Sequence, residues 1–194
     1  MRIRKLAPSG RVEGRWLCHL EDGTILRLGE SEVVAFGLGT GKELSGAELS
    51  ALTEAARAAQ VREKAGDRAA LRAMHVYAEN RRAKAQADAL RQGDFDGFLA
   101  LVRASGASSA MFLQNVIPTG QTARQELMVT IALCQALLGG RGAVRVHGGG
   151  FGGTAQAFVP LELVEQFRQE TEAALGKGAC HVVTIRPAGG VRIG

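Results

Sequence analysis

The chain has 194 residues, 46% of them hydrophobic and 22% charged, which is the composition of a folded globular protein and excludes an intrinsically disordered one. No apolar run reaches the roughly 20 residues of a membrane-spanning helix, and the basic start MRIRKLAPSGR lacks the apolar core of a signal peptide, so we expect a cytoplasmic protein without membrane contact. The net charge of +5 is spread along the chain, with ten Lys and Arg against nine Asp and Glu in residues 1–65 and fourteen against ten afterwards, a scatter that does not favour nucleic-acid binding.

A β-hairpin is predicted near the start of the chain. The pair Asp22-Gly23 separates two segments of alternating polarity, and Asp-Gly is a strong hairpin signal because both residues tolerate positive φ. We expect Trp16 or Leu17, together with Ile25, on the buried side of this hairpin.

Two helices are predicted after the hairpin. Ser31 is the expected cap of a short helix that Gly37 helps to end. Ser45 and Glu48 have the spacing of a capping box, which predicts a second helix continuing to about Ala65.

Three further helices are predicted between residues 66 and 140. Apolar residues at helical spacing indicate a long amphipathic helix from Gly66 to Gly93. Asp94 is the expected cap of the next helix, and Gly106 is expected beyond its end. The pair Gly139-Gly140 should stop the third.

The last third of the chain indicates a strand, a glycine loop, a second strand, a helix and a final strand in CHVVTIRP. An antiparallel hairpin mixed with covering helices is typical of the α+β fold class, which we predict for the whole chain. Three cysteines at wide spacing fit neither a disulfide framework nor a zinc site, so we expect reduced structural thiols at Cys18, Cys134 and Cys180.

The glycine loop within VRVHGGGFGGTAQAFVP, residues 144–160, has two interpretations: a cradle for phosphate or a tight turn between strands. Glycines expose main-chain N–H groups to an anion and tolerate positive φ, but the loop lacks the Lys and Ser/Thr of a Walker-type loop. Arg145 and His147 are expected at the hairpin edge, and Phe151 in a core or an interface. The candidate ligand-contacting residues are Gly148, Gly149, Gly150, Phe151, Gly152 and Gly153.

Several segments resemble the carboxyl-terminal part of galactokinases, members of the GHMP family of small-molecule kinases. They are MHVYAENRRAKAQADALRQGDFDGFLALVRASGASS, RQELMVTIALCQALLGGRGAVRVHGGGFGGTAQAFVP and GACHVVTIRPAGG, within about residues 68–193. The resemblance implies a GHMP-kinase C-terminal-type α/β sandwich with an antiparallel sheet as domain 66–194. It also implies that GGGFGG lies beside the phosphates of ATP, with Mg-ATP as the cofactor.

Two motifs of a complete galactokinase have no counterpart here. These are the sugar-contacting Gly-Glu-His-Thr-Asp motif and the Gly-Leu-Ser-Ser-Ser phosphate loop, which accompany the catalytic acid, the transition-state arginine and the metal ligand. We therefore predict no catalytic residue and no kinase activity for the chain alone, with at most residual phosphate or ATP contact at a loop that chiefly serves as a hairpin turn. Galactose is expected as a ligand only where a complementary lobe exists.

The front of the chain resembles the amino-terminal region of RecX proteins, which regulate the recombinase RecA. The resemblance covers residues 1–65 and rests on the hairpin, on ESEVVAFGL and on GKELSGAEL. It implies a two-domain fusion with a boundary near Ala65-Gly66. A regulatory or interaction module that uses the RecX-like part, and one half of a split sugar kinase, remain as alternative functions.

The segment SSAMFLQNVIP, residues 108–118, is expected to expose apolar surface, because the resemblance implies a missing partner lobe. The front segment or a second copy of the chain should cover it, since large exposed apolar patches usually form interfaces. Taken singly, Asn115 and Pro118 are interpreted as ordinary loop residues.

Overall fold

The computed structural model describes residues 1–151 and 153–185 and confirms the α+β class. The chain forms two compact units. The first contains Met1–Lys84 with Met111–Gln114, and the second contains Ala85–Ala110 with the described residues from Asn115 onward. Among the described helices, none combines the length and the apolar character needed to cross a membrane.

The first unit contains a three-stranded antiparallel sheet in the order β1-β2-β3. Its strands are β1 (Ile3–Pro8), β2 (Arg15–Leu20) and β3 (Ile25–Gly29), of which β2 and β3 are the predicted hairpin. Gly23 has a φ of +87° in the turn, and the Asp22 carboxylate accepts a hydrogen bond from the Thr24 N–H at 2.9 Å. Strand β1 was not anticipated from the sequence.

The buried face of the hairpin differs in part from the expected one. Trp16 pairs with Leu28 on the core side, as expected. Leu17, the alternative to Trp16, lies on the opposite face together with Ile25, which is 49% exposed and was wrong as a core position. The core side is completed by Cys18, Leu20 and Leu26.

Helices α1 (Glu30–Ala35) and α2 (Gly46–Ala65) follow the sheet and pack on its core. The cap of α1 is Gly29 rather than Ser31, and the Glu32 carboxylate accepts a hydrogen bond from the Gly29 N–H at 2.8 Å. The capping box of α2 is confirmed: the Glu48 N–H donates to Ser45 Oγ at 3.2 Å, and the Ser45 N–H donates to the Glu48 carboxylate at 2.9 Å.

The long helix α3 (Asp67–Gln92) is present as predicted, directly after Gly66. The division between the two compact units falls inside it, between Lys84 and Ala85. The expected domain boundary near Ala65-Gly66 depends on the two sequence resemblances, and it stays a prediction.

Helix α4 (Phe95–Ser108) begins as expected, with the Asp94 carboxylate accepting a hydrogen bond from the Gly97 N–H at 2.8 Å. It does not end before Gly106, because the chain continues through that residue into a π-helical turn, Ser109–Leu113. A Cβ at Gly106 would lie 3.0 Å from the Arg145 Cβ, so this glycine allows the helix to approach a strand closely rather than ending it.

The second unit places helices α5 (Glu126–Leu138) and α6 (Val164–Leu175) with the antiparallel strands β4 (Ala143–Val146) and β5 (Ala155–Phe158). Gly139 ends α5 in the left-handed conformation, as predicted. A short 3₁₀ turn, Leu161–Leu163, precedes α6. The buried core of the unit consists of Val116, Leu127, Ile131, Cys134, Leu138, Val144, Val146 and Phe167.

The final strand predicted in CHVVTIRP is absent from its described part. Residues 180–185 have no regular secondary structure, and Val182, Val183 and Ile185 are 65%, 79% and 83% exposed. Arg186 and Pro187 lie outside the described residues.

Candidate phosphate-facing loop

The glycine loop joins β4 to β5 as a hairpin connection, which confirms the turn interpretation. The His147 N–H donates to the Thr154 carbonyl at 2.7 Å and closes the loop at its base. Gly148 and Gly150 have φ of +66° and +78°, values that residues with a Cβ rarely adopt. Glycine at positions 148 and 150 is therefore favoured by the backbone path of the loop itself.

Asn115, which is only 2% exposed, forms hydrogen bonds with the loop. The Asn115 carbonyl accepts a hydrogen bond from the Phe151 N–H at 2.6 Å. Its side-chain Nδ2 donates to the Gly149 carbonyl at 3.3 Å, while its buried Oδ1 has no hydrogen-bond partner in the described part of the chain. Asn115 is thus a structural anchor of the loop, and its interpretation as an ordinary loop residue was wrong.

Asn115 also leaves no room for a side chain at Gly150. An ideal Cβ at Gly150 would lie 2.1 Å from the Asn115 carbonyl oxygen, a main-chain atom that cannot swing away. By contrast, a Cβ at Gly148 or Gly149 would meet no atom within 4 Å. The loop therefore has one glycine pressed against the protein and two beside open space.

Phe151 is not a core residue, which was one of its two expected positions, and its placement at an interface stays a prediction. Its side chain is 49% exposed, and its φ of +56° is in the left-handed region, which is strained for a residue with a bulky side chain. The hydrogen bond to Asn115 is the contact that stabilises this backbone conformation. Backbone strain of this kind is concentrated at functional sites.

The sign of φ alternates along the exposed part of the loop. It is positive at Gly148, not positive at Gly149, and positive again at Gly150. Anion-binding nests are built from consecutive residues that alternate between the right-handed and left-handed regions, and this loop shares with them the alternation in the sign of φ. Around the Cβ positions of Gly148 and Gly149 there is open space.

The two remaining candidate residues, Gly152 and Gly153, add little to the description of the loop. A Cβ at Gly153 would lie 3.5 Å from the Gly150 carbonyl, an ordinary contact. Gly152 lies outside the described residues.

His147 and Arg145, which flank the loop, have different surroundings. His147 is exposed at the hairpin edge, as expected. Arg145 is half-buried, donates from Nη1 to Ser105 Oγ at 2.6 Å and from Nε to the Val146 carbonyl at 3.0 Å, and so forms part of the packing between α4 and β4. Neither His147 nor Arg145 takes the place of the lysine with which Walker-type loops contact phosphate.

Two further observations bear on the expected site and its surface. Among the described residues, no group of three or more His, Cys, Asp or Glu side chains is placed to hold a metal ion.

In the segment Ser108–Pro118, Met111 is 64% exposed, whereas Ser109 and Val116 are buried, so the apolar surface expected there is limited.

Asn115 is the residue that shapes the candidate site and whose role was not predicted from the sequence. Its signal was the polar pair Gln114-Asn115 inside an apolar run, because a polar side chain at a buried position needs hydrogen-bond partners. Gln114, the residue before Asn115, has a φ of +57°. No protein-family model matches the chain.

Proposed function

We propose that the chain is a galactokinase-like C-terminal lobe joined to a RecX-like front segment, and that its glycine loop makes weak contact with the phosphates of ATP without catalysing transfer. The observation that supports this most directly is the alternating φ of Gly148, Gly149 and Gly150 beside open space. Such a loop presents main-chain N–H groups to an anion.

The small number of N–H groups in the loop explains why its contact with phosphate is weak. Hydrogen bonds to a charged group contribute about 1.5–3 kcal/mol each, so two N–H groups correspond to a dissociation constant on the order of 1 mM. Phosphoryl transfer needs metal ions and cationic side chains that neutralise the transferred group. The described loop offers neither a lysine nor a metal-binding cluster.

Binding is tested by titrating the chain with Mg-ATP and with pyrophosphate while following the amide N–H resonances of the loop. Gly149→Ala is the informative variant, because its methyl group enters open space without backbone strain and obstructs an approaching phosphate. We expect the affinity to fall about 10-fold, the equivalent of losing one charge-assisted hydrogen bond. Gly10→Ala, whose Cβ also meets nothing within 4 Å, is the matched control. Equal affinity in both variants would contradict the proposal.

The absence of catalysis is tested separately by incubating the chain with galactose and Mg-ATP. We expect no ADP above the background of a sample without galactose. Galactose-dependent ADP release by the chain alone would refute the inactive-lobe proposal. Release only after a complementary amino-terminal kinase lobe is added would identify the chain as half of a split kinase.

A second candidate function, an interaction module, is favoured by a groove in the first unit. This groove has a volume of about 300 Å³ and is lined by charged residues, including Glu13, Arg15, Arg27 and Glu63. Arg15 is paired with Glu63 across it. The test is capture of the recombinase by the immobilised chain, with a full RecX protein as the positive control. Capture that is lost in Arg27→Glu would support an interaction module, and failure of capture beside a working control would exclude this partner.

A further inference from the structure

Two of the three cysteines pack against one apolar cluster in the second unit. Cys134 belongs to α5, is 4% exposed and lies in the cluster with Phe167 of α6. Cys180 follows α6, is half-buried and packs against the same cluster. Both are free thiols in the structure.

The position of Cys180 follows from the turn that ends α6. Gly176 and Gly178 both have positive φ, at +106° and +82°. The Gly178 N–H donates to the Glu172 carboxylate at 3.1 Å, and the Ala179 N–H donates to the Gly176 carbonyl at 3.1 Å. These bonds fix the turn that directly precedes Cys180, which packs against the cluster.

The ionisation of the two thiols is linked. Burial raises the pKa of Cys134, and the neighbouring Cys180 raises it further because two nearby thiolates repel each other. Burial also raises the pKa of Cys180, where the Glu172 carboxylate acts in the same direction and the Arg168 guanidinium acts against it. Both thiols are therefore mostly protonated and slow to react at neutral pH.

We propose that Cys134 and Cys180 form a reversible disulfide when a low-molecular-weight disulfide, such as oxidised glutathione, acts as the oxidant. The more accessible Cys180 thiolate attacks one sulfur of oxidised glutathione, breaks its S–S bond and releases one glutathione thiolate. The Cys134 thiolate then attacks the Cys180 sulfur and releases the second glutathione. Two protein thiols are oxidised, one glutathione disulfide is reduced to two thiols, and the two protons pass to the released thiolates.

The bond would tie the chain after α6 to α5. Residues 180–185 have no regular secondary structure, and their apolar side chains are exposed, so a covalent link at Cys180 would restrict the path of this segment. Reduction would release it. This pair does not involve the glycine loop, so the inference is independent of phosphate binding.

The test is incubation of the folded chain with oxidised glutathione at pH 7, 8 and 9, followed by alkylation of free thiols after unfolding and peptide mass mapping. We expect a crosslinked pair of peptides containing Cys134 and Cys180 that separates on reduction. Its rate should rise with pH, because deprotonation limits both steps. Cys18, which is 0% exposed in the core of the other unit, is the internal control and should remain reduced.

Two serine variants make the outcome decisive. Cys180→Ser changes the half-buried position, and we expect Cys134 to stay reduced in it. Cys134→Ser should stop the reaction at a glutathione adduct on Cys180. In the unmodified chain, a stable adduct on Cys180 beside a reduced Cys134, or no oxidation of either thiol at pH 9, would overturn the proposal.

Discussion

The main-chain oxygen of Asn115 lies 2.1 Å from the position that a Cβ would occupy at Gly150, which forces glycine at that position. The oxygen cannot withdraw without giving up its 2.6 Å hydrogen bond to the Phe151 N–H. One carbonyl thus fixes both the residue type and the backbone path at the tip of the loop.

Replacement of Gly150 by alanine should therefore destabilise the chain. The φ of +78° alone costs about 1–2 kcal/mol for a residue with a Cβ, and the contact with Asn115 adds to that cost. We expect the free energy of unfolding to fall by at least about 2 kcal/mol, measured by urea unfolding followed by circular dichroism. Gly149→Ala has no clash and no positive φ, and should change stability by less than about 0.5 kcal/mol. Equal effects at the two positions would show that the loop is not anchored in this way.

The buried face of the first hairpin can be tested with two aliphatic side chains of one strand. Leu28 is 1% exposed, and truncation to alanine should cost about 2–5 kcal/mol through lost burial and the cavity it leaves. Ile25 is 49% exposed on the opposite face, and Ile25→Ala should cost less than about 1 kcal/mol. The measurement is the urea midpoint by circular dichroism, and a larger loss for Ile25→Ala would reverse the assignment of faces.

The contact between α4 and β4 depends on Ser105, which is 0% exposed and accepts a hydrogen bond from Arg145 Nη1 at 2.6 Å. Removing its hydroxyl in Ser105→Ala withdraws an acceptor from a charged donor, a loss of about 1.5–3 kcal/mol. Ser50→Ala, an exposed serine in α2, provides a helical control that should change stability by no more than about 0.5 kcal/mol. If thermal unfolding shifts equally in the two variants, Ser105 does not hold Arg145 in place.

The capping box of α2 predicts a pH dependence of stability. Hydrogen bonds from Ser45, followed by the charge of Lys42, hold the pKa of the Glu48 carboxyl below its ordinary value. A carboxyl with a depressed pKa in the folded state stabilises the protein above its unfolded pKa of about 4.3, and this contribution is lost as the pH falls through the folded value. Glu48→Gln should therefore be less stable than the unmodified chain at pH 7, and the difference should shrink below pH ~4. A difference that stays constant from pH 7 to pH 3 would contradict this origin.

Local signals in the sequence were reliable where a few adjacent residues determine the structure. The Asp22-Gly23 turn, the Ser45 and Glu48 capping box, the Asp94 cap and the end of α5 at Gly139 all depend on hydrogen bonds or φ values within one turn of chain. The same short range explains the α+β class, because helix and strand periodicities are local as well.

Properties that depend on distant contacts were not predictable in this way. Strand β1 has the sequence IRKLAP, whose alternation is broken by a bulge between Ile3 and Lys5, and it is identified only by its pairing with β2. The burial of Ile25 was misjudged because hydrophobicity alone does not determine which strand face meets the helices. At Gly106, a glycine that resembles a helix end instead makes room for β4, a partner about 40 residues away along the chain.

In the candidate site, the role of Asn115 also depends on distant contacts and was not predictable from local sequence. Its contacts with Gly149, Gly150 and Phe151 cross 34 or more residues of sequence, so no local motif contains both partners. The glycine run shows that a loop is present, and the polar pair Gln114-Asn115 indicates a buried hydrogen bond, but only the folded chain shows that the two belong together.

Trp16, the only tryptophan of the chain, packs against the core of the first unit. Its fluorescence therefore reports the environment of that unit, while far-ultraviolet circular dichroism averages over the helices of both. Comparing the two signals during denaturation distinguishes a single cooperative transition from stepwise melting. The natural position of one indole thus provides a built-in spectroscopic probe of how independently the two parts of the chain fold.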